Sequence, residues 1–263
     1  MRDIGIVLRQ THYALLASLR NSRAVVFGIV FPVVLLIMFN SIFSSGSDAT
    51  VRFHHFVVST RAYFTAGLAA YAIMLQSFSN LAITVTTQRE SGQLKRLRGT
   101  PMRPWTFVAA HMLRAITFAI AMVIAVLAIG AVAFGVHLEA AACFGIAVYV
   151  VLGTSAMASL GMAITPFTPT VDAVSSVGPF VAVILSFVSG VFIPVATLPD
   201  WLAQIGKLFP LAPLADGLQL ALTGAGTSTG LNAHDVGLLV VWGAVGLVVA
   251  ARRFRWVPQG VGA

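Results

Sequence analysis

Residues 88–105 read QRESGQLKRLRGTPMRPW, a polar and basic island between two long apolar segments. Arg89, Lys95, Arg96, Arg98 and Arg103 stand there against one acid, Glu90. Leu94 and Leu97 are three apart, so a short helix places both on one face. Gly99, Pro101 and Pro104 end that helix before the next apolar run. The stretch reads as a short helix along the cytoplasmic membrane surface, open to docking by a soluble partner. A basic loop that only sets topology would carry the same charge.

The rest of the chain is apolar enough to make such an island conspicuous. Of 263 residues, 58% are hydrophobic and 9% charged, against about 25% charged in soluble domains. The mean hydropathy is +0.93. A chain this poor in charge cannot cover itself with a water-facing surface, so an integral membrane protein is expected. The net charge of +8 then reflects basic loops facing an anionic leaflet rather than a nucleic-acid site. The single cysteine, Cys143, excludes an intrachain disulfide, and no CxxC or His/Cys cluster suggests a metal. No cleavable signal peptide is expected, because the first apolar run begins late and exceeds a signal h-region.

A membrane helix needs about 20 mainly apolar residues. Six segments qualify: 24–43, 63–85, 107–134, 141–164, 174–193 and 236–251. The expected fold is therefore all-α and polytopic, in one domain spanning 1–263. Residues 1–22 precede the first span. A helix there gathers Ile4, Leu8, Leu15 and Leu19 on one face with Arg2, Arg9 and Arg20 beside it, the pattern of a helix lying in the interface.

Charge sets the orientation. One side collects Arg2, Arg9, Arg20, Arg23, Arg89, Lys95, Arg96, Arg98, Arg103, Arg252, Arg253 and Arg255. The other holds Arg52, Arg61 and Lys207. The positive-inside rule puts both termini in the cytoplasm. Arg114 is left inside the third span, where it is expected to snorkel to the headgroups. In the first outer loop, 44–62, His54 and His55 invite a metal or pH-sensor reading but have no third ligand nearby.

The second span carries Gln76, Asn80, Thr84 and Thr87 on one stripe. Such groups must face other helices or a wet cavity. Helix–helix glue and a substrate path both satisfy that. Between spans four and five, TPFTPTVD (165–172) reads as a tight turn with Asp172 capping the fifth helix. Small residues at four-residue spacing, Ser155/Ser159, Ser186/Gly190 and Gly246/Ala250, favour close packing. In 194–222, Pro194, Pro199, Pro210 and Pro213 interrupt the apolar run too often for a straight span. Short helices dipping into the outer interface are expected, with Trp201 at headgroup level. The Gly/Ser/Thr-rich segment 224–231 reads as a flexible outer loop.

Several chemistries lack their residues. A P-loop needs Gly-Lys-Ser/Thr, but Lys95 precedes Arg96 and Lys207 precedes Leu208. HExxH is missing. Gly153-Thr154-Ser155-Ala156 lacks the final glycine of a membrane serine protease motif. No span has an acid at its centre, which argues against ion-coupled transport. A secondary transporter or channel, and a scaffold without transport, remain the competing classes.

Two stretches resemble a known family. Gln88-Arg89-Glu90-x-Gly92, with Leu94, Leu97 and Thr100-Pro101, resembles the cytoplasmic loop of ABC-2 type transport permeases. Gly190, Phe192, Pro194, Leu198-Pro199-x-Trp201-Leu202 and Phe209-Pro210-Leu211 resemble their outer re-entrant helices. The resemblance spans essentially the whole chain. It implies six membrane helices, an N-terminal interfacial helix and outer re-entrant helices. It implies the permease subunit of an ABC exporter in the plasma (inner) membrane, similar to daunorubicin-resistance-type drug-efflux permeases. Such a subunit pairs with a second permease copy or paralogue and moves a hydrophobic or amphipathic substrate, a drug, lipid or glycoconjugate, outward. ATP and Mg would sit on a separate ATPase subunit, with no cofactor, metal or nucleic acid on this chain. By the same carry-over, Arg89, Glu90, Gly92, Leu94, Leu97 and Pro101 of the coupling loop 86–106 contact the ATPase. Gln76, Asn80 and Thr84 are the candidate substrate path. Residues 95–103 depart from the family in being purely basic, so an acidic groove on the partner is expected.

Overall fold

The computed structural model describes residues 2–19, 30–43, 49–99, 104–168, 170–227 and 229–253. Helix α1 (Arg2–Leu19) and α2 (Phe31–Phe43) are followed by a hairpin, β1 (Thr50–Phe53) and β2 (Phe56–Ser59). Next come α3 (Thr60–Met74), a π-helical turn (Leu75–Ser79), α4 (Asn80–Glu90) and the short α5 (Gln93–Arg98). Then follow α6 (Pro104–Phe134), α7 (Ala140–Ile164), α8 (Val171–Val188), α9 (Asp200–Lys207), α10 (Leu211–Thr223) and α11 (Ala233–Arg253).

Among the described residues, five helices are long and apolar enough to cross a membrane: Thr60–Glu90, Trp105–Phe134, Ala140–Ile164, Val171–Val188 and Ala233–Arg253. Phe31–Phe43 is apolar but shorter, and residues 24–29 of the expected first span lie outside the described residues. The protein is thus an all-α, multi-pass membrane protein, with one small hairpin among the described residues.

The rod formed by α3, the π turn and α4 is the centre of the bundle. It is the least hydrophobic of the five spans, with mean hydropathy 1.4, yet 78% of its apolar window is buried. Small side chains explain this: Ala62, Ala66, Gly67, Ala69, Ala70 and Ala72 let α2, α6, α7 and α10 approach closely. The outer helices α8 and α11 are only 22% buried over their windows. Their exposed Phe180, Ile184, Val241 and Val248 suit contact with lipid.

Several boundaries differ from expectation. The helix that contains the expected second span, 63–85, runs from Thr60 to Glu90, so Gln88, Arg89 and Glu90 are helical rather than loop. The fifth span begins at Val171 and ends at Val188 rather than covering 174–193, because Gly190 turns the chain at φ +78. Val191 and Phe192 then donate back to the Ser186 carbonyl. Helix α8 is capped by Thr170, whose side chain accepts from Ala173 N at 3.2 Å, and Asp172 lies in the first turn instead.

The polar segment 44–62 holds a hairpin in its described part, because Phe53 and Val58 pack against Tyr63 and Phe64. In 224–231 the described residues are held in place. Tyr149 Oη donates to the Gly230 carbonyl and accepts from Asn232 N.

Helix α1 leaves Ile4 and Leu8 exposed and packs on α6, where Thr11 Oγ1 donates to the Ala110 carbonyl at 3.3 Å. Arg114 does not snorkel: it is 3% exposed inside the bundle. Trp201 on α9 is 64% exposed, whereas α10 is buried against α3 and α7.

Candidate functional site

Arg89 and Glu90 end α4 beside the turn that joins α7 to α8. Arg89 is 2% exposed. Its guanidinium donates to the Thr165 carbonyl at 2.7 Å and the Thr168 carbonyl at 2.6 Å. Thr165 is the C-cap of α7, so these acceptors belong to the helix end whose last carbonyls lack intrahelical donors. A fixed cation there also opposes the negative end of the helix dipole. Glu90 does the converse. Its Oε1 accepts from Val171 N, the first amide of α8, at 2.8 Å. Adjacent residues of opposite charge thus close both ends of one interhelical turn, each with the sign its helix end favours.

Helix α5 hangs from this clamp. Gly92 carries it into register with φ +71, a backbone that disfavours any side chain. Gly92 N donates to the Arg89 carbonyl and Arg96 N to the Gly92 carbonyl. Leu94 is completely buried, so it anchors α5 and does not face outward with a leucine partner. Lys95 and Arg96 are exposed. The Leu97 side chain and all of Pro101 lie outside the described residues. Of the six residues expected to meet an ATPase, Arg89 and Leu94 are therefore internal, Gly92 shapes the turn, and Glu90 is exposed while holding α8.

The stripe on the second span splits around the π turn. Asn80 Nδ2 donates to Gln76 Oε1 at 2.8 Å, and Thr84 Oγ1 donates to the Asn80 carbonyl. Gln76 is buried, while Asn80 and Thr84 are half-buried. These polar groups satisfy one another along their own helix. The turn packs against α7 and α8, and Gly161 of α7 faces the Phe78 carbonyl there.

At the opposite end of the bundle the hairpin tip reaches α10. His54 Nε2 and Asp216 Oδ2 are 2.8 Å apart. His54 adopts φ +52 at the first position of the two-residue turn, where a type II′ turn places left-handed backbone. Its bond to Asp216 holds its pKa above the ordinary histidine value, with burial opposing. Asp235, Lys207 and Arg52 line the same cavity. Because the folded pKa is raised, the pair stabilises fully below the unfolded value near 6.5 and is lost as pH rises through the folded value. Amide exchange in 50–59, corrected for intrinsic rates, should therefore speed up as pH rises from below about 6.5 through the raised folded value. His54→Gln should abolish that dependence. Equal pH dependence in both proteins would remove the pair as its cause.

The Arg89/Glu90 clamp was not visible in the sequence, because its acceptors are backbone atoms some eighty residues away. The His54–Asp216 contact was hidden because its two side chains are 162 residues apart in the chain. The family model described as ABC-2 type transporter matches residues 9–222 of the chain. No curated protein matches it.

Proposed function

This chain belongs to the ABC-2 type transporter family, and we propose that it is the permease subunit of an ATP-driven exporter. In this reading the end of the bundle bearing α5 lies in the cytoplasm with both termini, as the distribution of Lys and Arg favours. ATP and Mg bind a separate ATPase subunit, since this chain has no P-loop lysine. Two permeases, identical or paralogous, form the membrane unit. The cargo is hydrophobic or amphipathic: a drug, as in daunorubicin-resistance-type exporters, a lipid or a glycoconjugate.

The observation that carries the proposal is the clamp. A push on α5 reaches the C-terminal end of α7 through Arg89 and the N-terminal end of α8 through Glu90. Both helices pack on the central rod, so displacement at the surface becomes displacement of the core. In this reading the residues that meet the ATPase differ from those the family resemblance implies. Lys95 and Arg96 offer the exposed basic face, complementary to an acidic groove, and Arg89 transmits from behind it. The Gln76/Asn80 face beside the π turn is the proposed wall of the substrate path.

The test is co-purification with the ATPase in detergent. Lys95→Glu with Arg96→Glu should weaken association by about tenfold or more, and increasingly so at low salt. The variant permease should stay monodisperse, because neither side chain is buried. Undiminished association would refute the basic face as the docking surface. Vectorial transport by the purified permease without any ATPase would instead select an ion-coupled carrier.

A further inference from the structure

A cavity of about 330 Å³ opens between the hairpin, α9, α10 and α11, at the end of the bundle away from α5. Much of its wall is apolar, with Phe53, Val188, Val195 and Leu238 among the lining residues. Asp235, in the first turn of α11, lines the same space while only 4% exposed. Its Oδ1 lies 3.4 Å from His234 Nδ1. Its Oδ2 is buried without a hydrogen-bond partner among the described residues. Asp216 brings a second carboxylate, of which Oδ2 is taken by His54. Arg52 and Lys207 also line the cavity, but both are exposed residues.

A carboxylate oxygen held out of water and unpaired is costly, and a cation within reach removes the cost. The start of α11 favours the negative charge, and His234, which also lines the cavity, meets only Oδ1 and leaves Oδ2 unpaired. A metal is a poor completion, because the described residues contain no group of three or more His, Cys, Asp or Glu that could hold one. A protonated amine fits better. Its N–H groups satisfy Oδ2 and reach toward Asp216, and the apolar wall accepts the body that carries it.

We infer that this cavity binds a primary ammonium group on an apolar or amphipathic carrier, with Asp235 as counter-ion and Asp216 as second acceptor. The carrier is either a soluble amine or an aminophospholipid whose headgroup reaches the cavity. The contact is the same in both.

The test uses the full-length chain in phosphatidylcholine nanodiscs, without an ATPase, so its outcome is independent of the coupling proposal. The probe is dansylcadaverine, a primary amine on a fluorophore, and its N-acetylated form is the neutral control. Saturable binding of the amine is expected, about thirtyfold tighter than that of the acetylated form. Asp235→Asn should remove most of that difference and leave the neutral form unaffected. Asp216→Asn should remove less. Equal affinity for both probes on the unmodified chain overturns the inference, and that comparison needs no variant to fold. So does an unchanged preference in Asp235→Asn. Replacing part of the lipid with phosphatidylethanolamine then identifies the source. Loss of amine binding names the headgroup as occupant, and unchanged binding names a soluble amine; both support the site.

Discussion

Arg89→Met is expected to leave the ATPase bound and hydrolysing while outward transport falls by about a hundredfold, a loss of roughly 3 kcal/mol of coupling. Methionine keeps most of the side chain's apolar bulk but removes its donors. The Thr165 and Thr168 carbonyls at the end of α7 are then left without the guanidinium that bonds them. A hydrogen bond to a charged group contributes about 1.5–3 kcal/mol, and a buried acceptor left unsatisfied costs its desolvation as well. A lower melting temperature should therefore accompany the loss of transport. Arg89→Lys should restore the charge but span one carbonyl rather than two, giving partial rescue. Co-purification with the ATPase separates this outcome from that of the Lys95/Arg96 reversal, which removes docking. Transport at the original rate in Arg89→Met would mean that α5 does not act through this clamp.

Gly161→Val should destabilise the bundle strongly. A Cβ at Gly161 would stand 2.6 Å from the Phe78 carbonyl oxygen and 3.1 Å from Phe78 Cα. These are backbone atoms of the π turn, held between α7 and α8, so they cannot rotate away as a side chain would. Overpacking usually costs about 1–3 kcal/mol; a β-branched residue against backbone belongs at the upper end. The measurement is thermal unfolding of the purified permease, with Gly161→Ala as the smaller step. Gly237→Ala is the control: that glycine lies in α11 with nothing within 4 Å, so alanine there should be neutral or slightly stabilising. A melting temperature for Gly161→Val close to that of Gly237→Ala would show that the π turn yields at little cost.

Both residues illustrate where sequence reasoning stopped. Small residues at four-residue spacing correctly directed attention to close packing, and Gly246 does meet Ser159. Gly161 fell outside that spacing because its partner is an irregular turn in another helix, and π turns leave no periodic trace. Leu94 faces inward, although its spacing with Leu97 suggests a docking face, because periodicity states which residues share a side of a helix, not which side meets the rest of the protein. Asp172 looked like a cap because acids favour helix starts, yet Thr170, two residues earlier, has the extended backbone that a capping residue needs. Arg114 was expected to reach the headgroups, but the bundle closes over it.

Composition, apolar run length and residue order alone determined that the chain crosses a membrane several times, where its basic segment falls, and that neither of its lysines is followed by the Ser/Thr of a P-loop. Those are one-dimensional quantities: transfer free energy summed along a helix, and the presence or absence of a residue type. Only the folded bundle decided that Arg89 points inward to the end of α7, that Glu90 starts α8, and that His54, Asp216 and Asp235 share one cavity. Each depends on groups distant in the chain being brought within hydrogen-bonding range, and that distance is set by how helices pack rather than by the residues themselves.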